Sequence, residues 1–587
     1  MIALPTTPPA PSPLRKLSPG LQILIALCII AVIIVAVIIL FRPIPGPAPV
    51  PADSPTVHLK ILAINDFHGQ LPDGQTLDRR PAGSAPVLSS YLRTEMEPAN
   101  ADMVIVALPG DIVGASPPES GLLLDEPTLL YFNGYANSNC TIGSQDDDTS
   151  CNMVAGLGNL EFGKGIPELM RKIDGGDGSA TIPRLVEPYP GSRSTYTCAN
   201  VVWKANNTPI LPPYAVRMVS GVPVAFIGAV TTNTPRIEKA ENIEDVLFLD
   251  EAESINRYMP EIHARGIHAI IVILHEGGTQ DAYTGPTRSN TTVTGRVTDI
   301  VPLLDPDVDV VLSGHTHAFT NTYLNNSGGN PVLVTQAWSY SRGYADIDLI
   351  INRTTGEIVQ KSAEVIPAYA DQGPGISPDP EAAAFLAADE KIVELEVGEQ
   401  IGRAAIDITR DKTPAGESAM GDMVVDSQRA AMKTDAGFST AGSVRADLVQ
   451  GTITWGNLYA VQPFAGTVLS MTLSGDQIRR ALEQQWQEPL PPHNLMVSGI
   501  VYTYDPARPA GSRVVNVTIN NRPLDPKANY TVSMADFLAD GGDGYTTFRE
   551  GTNITNGPID VDALVAYTAS LPQPVNVTTD GRIRRTG

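Results

Sequence analysis

Between Lys60 and Gly69 the chain reads Lys-Ile-Leu-Ala-Ile-Asn-Asp-Phe-His-Gly, and this stretch restricts the fold more than any other. Lys60 to Ile64 have the apolar texture of a buried strand, after which the chain turns polar at once and sets a carboxylate and an imidazole before a glycine. Asp66 and His68 stand two apart on an extended segment and so point to one side. One divalent cation can take both.

The same device recurs along the chain. Met103–Leu108 is an apolar run that ends in Pro109-Gly110-Asp111, and Val154-Ala-Gly-Leu-Gly leads into Asn159-Leu160-Glu161-Phe162-Gly163. Ala269–Leu274 is followed by His275-Glu276, and Val308–Leu312 by Ser-Gly314-His315-Thr-His317. Helical spacing lies between the runs, at 84–96, 166–173 and 251–265. Strand and helix alternate with metal-type residues at each strand's exit, which predicts a layered α/β domain whose site lies along one edge of its sheet. Asp66, His68, Asp111, Asn159, His275, His315 and His317 make seven oxygen or nitrogen donors on five exits, and they include four of the chain's eight histidines. A set of this size and mixture suits two cations about 3.5–4 Å apart, bridged by one carboxylate and a water. Taken singly each residue has a plainer reading, Asp111 as a helix N-cap, Asn159 as a left-handed turn, His275 as a core imidazole. The joint pattern carries the metal reading.

With 587 residues the chain is too long for one ordinary core, and its formal charge of -24 argues against a nucleic-acid surface. Leu21 to Phe41 is apolar apart from Gln22, long enough to cross a bilayer, and predicts an uncleaved anchor (21–41) after a cytoplasmic N-terminus (1–20). A Pro-rich stalk over 42–56 would hold the folded part off the membrane, on the extracellular or periplasmic side. Nine Asn-x-Ser/Thr triplets, from Asn139 to Asn576, are compatible with export. Cys140 and Cys151 bracket a turn-rich insert, and a disulfide between them is the plain expectation outside the cell, although Cys198 could displace either partner.

The second half changes texture. A long helix is expected over 381–399, then an α+β domain with helices at 420–432 and 477–487 and strands at 466–473, 497–504 and 514–519.

Asn-Asp-Phe-His-Gly at 65–69, Gly-Asp at 110–111, Gly-Asn-x-Glu-Phe at 158–162, the His275 block and Gly-His-Thr-His at 314–317 resemble the calcineurin-like metallophosphoesterases. Within them the likeness is to the 5′-nucleotidase group, which includes ecto-5′-nucleotidases and periplasmic UDP-sugar hydrolases. It covers about Val57 to Leu571 and implies a metallophosphoesterase sandwich (57–370), a linker with a connecting helix (371–400), a C-terminal substrate domain (401–571) and a tail (572–587). It also implies two divalent ions of the zinc or manganese type. Asp66, His68 and His317 would serve one, Asn159, His275 and His315 the other, with Asp111 bridging. In the second domain Ala441-Gly-Ser-Val-Arg445, the block ending in Pro463-Phe464, and Asp536-Phe537 through Asp543 resemble nucleotide-binding segments. By that resemblance Phe464 and Phe537 sandwich a base, Asp543 holds the ribose hydroxyls and Arg445 meets the phosphate. The implied activity is phosphate release from nucleotides, with cyclic nucleotides or nucleotide sugars as alternatives.

The sequence departs from that family in one place that matters. The third block normally reads Gly-Asn-His-Glu-Phe-Asp, with a histidine, oriented by the aspartate, steadying the phosphoryl group; here those places hold Leu160 and Gly163. Loss of such a donor typically costs about 100- to 1000-fold in turnover, so a catalytically weakened binding protein is the competing reading. In the second domain Thr440 stands where an asparagine is expected, and Arg410 and Lys412 are what remains of an Arg-rich run.

Overall fold

The computed structural model describes residues 54–97, 101–143, 150–177, 184–289, 291–487 and 492–586. The expected anchor and nearly all of the stalk lie outside the described residues. Among the described residues no helix is long and apolar enough to cross a membrane.

The first domain is two six-stranded sheets laid face to face. In one, the strand order is Ile358–Pro367, Gly343–Asn352, Thr56–Ala63, Met103–Pro109, Met153–Gly156, Thr195–Thr197. In the other it is Phe319–Asn325, Pro331–Ala337, Val308–Ser313, Ala269–His275, Val222–Val230, Tyr214–Val219. Each has a parallel centre: Ile61 lies opposite Ile105 in the first, and Ile273 opposite both Gly228 and Leu312 in the second. Parallel strands buried on both faces demand continuous aliphatic runs, which Ala269–Leu274 supplies with every residue buried. Ile61, Ile105, Phe226, Ile271 and Leu312 fill the space between the sheets, while Ile270 and Val272 face the opposite way onto Ile255 and Met259 of the helix Glu251–Ala264. The layered sandwich that the resemblance implies is present, and the site lies at the edges of two sheets rather than along one. The strand exits belong to two stacked sheets, because sequence order shows where strands end but not which strands pair.

The long helix is Pro380–Val397, N-capped by Asp379, and it packs against Ala85–Glu95 of the first domain and Trp455–Val461 of the second. The second domain has a five-stranded sheet, in the order Leu495–Ser498, Ala436–Thr440, Asn529–Ala535, Thr467–Ser474, Thr552–Ile559, and a smaller four-stranded one. The single strand expected over 497–504 is two strands, Leu495–Ser498 and Ile500–Tyr504, in different sheets. Gly499, left-handed at φ 70°, turns the chain between them. The tail expected over 572–587 is also corrected, since Ile583–Arg585 pairs in parallel with Ile500–Tyr504. Glu417 fixes that segment by accepting the backbone N–H groups of Asp580 and Gly581 at 2.9 Å and Ile583 at 3.1 Å. Cys140 and Cys151 form a disulfide, and Cys198 is a buried thiol.

Lys239 of the first domain bonds Asp536 of the second at 2.9 Å, and Arg236 bonds Gln487. These contacts bring the second domain's loops over the end of the sandwich where the strand exits converge.

Candidate metal centre

Residues 66 and 315 are about 250 positions apart in sequence, yet the Asp66 carboxylate accepts the His315 N–H at 3.0 Å from both oxygens. Asp66, His68 and His317 present donor atoms all within 4.8 Å of one another, and so do Asp111, His275 and His315. Nε2 of His317 lies 3.4 Å from Asp66 Oδ1 and 3.0 Å from Nε2 of His68. The Asp111 Oδ2 atom lies 3.3 Å from His275 Nε2 and 3.8 Å from His68 Nε2, so it stands between the two groups. Donors about 2.1 Å from a shared ion sit roughly 3.0–3.4 Å from one another, which is the scale of these separations.

Second partners set the donor atoms. The Gly114 carbonyl accepts from His68 Nδ1 at 3.0 Å and the Pro109 carbonyl from His275 Nδ1 at 2.8 Å, so that both rings turn Nε2 toward the Asp111 carboxylate. The Asn159 amide donates Nδ2 to Glu238 Oε1 at 3.0 Å, while its Oδ1 is buried with no hydrogen-bond partner, as is His275 Nε2. Buried polar atoms are rarely left unpaired, and of these two His275 Nε2 lies 3.3 Å from Asp111 Oδ2. The residues fit a pair of divalent cations. Burial drives His68 down to about 3, leaving a neutral imidazole. Burial alone would raise Asp66 and Asp111, but His317 beside one and His275 beside the other hold both below the usual carboxylate range. Against its burial, Asp111 and then Asp66 push His275 up to about 10, so a cation taking that imidazole would displace its proton, whereas His68 and both carboxylates already hold the form a cation takes.

The backbone is constrained to this purpose. Asp66, His68, Asp111, His315 and His317 all have positive φ, between 49° and 75°, a conformation that costs on the order of 1 kcal/mol or more for each such residue. Gly158 is required by close approach, because a Cβ there would lie 2.2 Å from Asp111 Oδ1. Two of the plain readings do not hold, since Asn159 is right-handed at φ -69° and Asp111 starts no helix, whereas His275 is indeed a buried imidazole bonded to a backbone carbonyl.

Three residues near the centre carry no expectation from sequence. Glu161 is buried and accepts the N–H groups of Asp111 at 2.9 Å and Ile112 at 2.8 Å, holding the loop that presents Asp111. Burial, with Asp111 adding to it, pushes the Glu161 carboxyl up to about 7. Tyr340 sets its ring 5.3 Å from that of His68 and 5.1 Å from that of His317. Glu238 is the partner of Asn159. Only Glu161 had a signal, its place inside the Gly-Asn-x-Glu-Phe block.

Of the substrate candidates, the guanidinium of Arg445 stands 5.9 Å from the rings of both Tyr340 and Phe464, and its Nε is buried without a partner. Arg410 pairs with Asp447 at 2.9 Å and donates to the Arg445 carbonyl, so it braces this loop. Burial raises the Asp543 carboxyl, and His493 and Thr440 beside it offset part of that. The Phe464 ring is partly exposed, and Phe537 rests against Gly542 of the turn that presents Asp543.

Two stacked sheets that deliver a mixed carboxylate and imidazole set to one point define a two-centre metal site. The calcineurin-like phosphoesterase family matches residues 59–319 and the 5'-nucleotidase C-terminal domain matches residues 397–550. The cell wall protein Lmo0130 of Listeria monocytogenes is 32% identical over 88% of this chain and 67% of its own length. Endonuclease YhcR of Bacillus subtilis is 32% identical over 90% of this chain, which spans 41% of that relative's length. Among solved structures, the 5'-nucleotidase precursor from Thermus thermophilus superposes with a TM-score of 0.71 at 25% identity, over 90% of this chain and 99% of its own. The chain belongs to the calcineurin-like phosphoesterases that carry a 5'-nucleotidase C-terminal domain. It is a metal-dependent phosphoester hydrolase.

Proposed function

We propose that this chain releases phosphate from nucleotides, with the second domain presenting the base and sugar to the metal centre of the first. The observation that carries the reading is the position of Arg445. It comes from the second domain, stands 5.9 Å from the Tyr340 ring that packs on His68 and His317, and its buried Nε has no hydrogen-bond partner among the described residues. Bound divalent cations would lower the pKa of water to about 7 and polarise the P–O bond. Water then attacks phosphorus in line while Arg445 holds the non-bridging oxygens, and the Phe464 and Phe537 faces accept a base on either side. Asp543, joined by Thr440, accepts from the sugar hydroxyls.

A second reading, hydrolysis of nucleotide sugars or other phosphodiesters, is favoured by a cavity of about 320 Å³ on the Tyr340 side of Arg445. Gln70, Gln75, Asn457 and Thr454 line it beside the carboxyls of Asp73, Glu119 and Asp447, a lining that suits a neutral hydroxyl-bearing substituent on phosphorus. External placement on a membrane anchor belongs to the same proposal, supported by the apolar run 21–41 and by a disulfide of the kind that persists in oxidising compartments.

The test is product release from AMP, a cyclic nucleotide and a nucleotide sugar with Mn²⁺ or Zn²⁺, wild type beside Arg445→Ala. The expected result is turnover of at least one substrate, with kcat/KM in the variant down roughly 100-fold. No release from any of the three would contradict the proposal.

A further inference from the structure

We infer that Glu238 is a positioning residue for Asn159, fixing which end of that amide faces the metal centre. This rests on the proposed metal reading. An asparagine amide can present either oxygen or nitrogen, and only the oxygen binds a cation. Glu238 Oε1 accepts from Asn159 Nδ2 at 3.0 Å, which leaves the buried Oδ1 without a partner, and the N–H of the next residue, Leu160, bonds Asp111 Oδ1 at 2.8 Å. The oxygen facing Nδ2 accepts whether the carboxyl is ionised or not, so the arrangement needs no particular protonation state.

The place Glu238 occupies points the same way. A Cβ built on Gly163 would lie 3.2 Å from the Leu160 carbonyl oxygen and 3.6 Å from Glu238 Oε2, so a side chain at 163 would start out in contact with this carboxyl. It arrives from a different segment, held by the Glu238 N–H on the Thr234 carbonyl at 3.0 Å and by Asn242 Nδ2 on the Gly163 carbonyl at 2.8 Å. Glycine at 163 and glutamate at 238 are two halves of one arrangement: the first leaves room, and the second supplies a carboxyl that steadies a candidate metal ligand.

The experiment titrates metal-stripped protein with Mn²⁺ by calorimetry, alongside circular dichroism. Glu238→Ala is expected to weaken one of two sites by about 10- to 100-fold and leave the other unchanged. Glu238→Gln, which still offers a carbonyl to Nδ2, should bind both ions within about threefold of wild type. If alanine destabilises the fold, Glu238→Met keeps the bulk and removes the acceptor, with the same expected loss. Two ions bound equally well by wild type and by the acceptor-free variants would overturn this inference alone. Equal losses in the glutamine and alanine variants would also overturn it, since the charge and not the acceptor would then matter. Wild-type protein that takes up no Mn²⁺ would overturn the metal reading as a whole.

Discussion

Asp111→Asn protein is expected to keep its fold and to lose phosphate release by at least about 1000-fold. The substitution is nearly isosteric, and its amide oxygen can still accept the Leu160 N–H, which Asp111 Oδ1 takes at 2.8 Å. What disappears is the negative charge that lies 3.3 Å from His275 and 3.8 Å from His68, between the two donor groups. No other carboxylate in either group can replace it there, since Asp66 belongs with His317 and is occupied by the His315 N–H. Rates with saturating Mn²⁺, compared at matched circular dichroism, check the expectation. A variant with wild-type turnover would place the reaction elsewhere.

The second large effect is a gain. Leu160→His should raise turnover by roughly 100- to 1000-fold, because the side chain at 160 leaves the loop that also carries Asn159, and leucine offers no donor to developing charge. The structure changes which variant should do best. Restoring the family pair with Gly163→Asp would place a second carboxyl against Glu238, whose Oε2 is already 3.6 Å from the Cβ position. The single variant is therefore expected to exceed the double one, measured as kcat on AMP for all three proteins. No gain from either would mean that the phosphoryl group does not sit over this loop.

The candidate centre was largely legible because its donors are local. Asp66, Asp111 and Asn159 follow strands of one sheet, His275 ends a strand of the other, and His315 and His317 follow its neighbour; each strand announces itself by an aliphatic run and its exit by a polar residue beside glycine. What local pattern could not supply was the pairing of strands, hence the second sheet, and the docking of Ile583–Arg585, which depends on Glu417 more than 160 residues earlier. Tyr340 and Glu238 were illegible for the same reason. Nothing around Glu238 in sequence marks it as a partner of Asn159, and only the approach of two loops makes it one.

The most direct measurement is anomalous scattering from crystals grown with Mn²⁺. Two peaks about 3.5–4 Å apart are expected, one among Asp66, His68 and His317, the other among Asn159, His275 and His315, with Asp111 reaching both. A single peak, or none within reach of these side chains, would contradict the account.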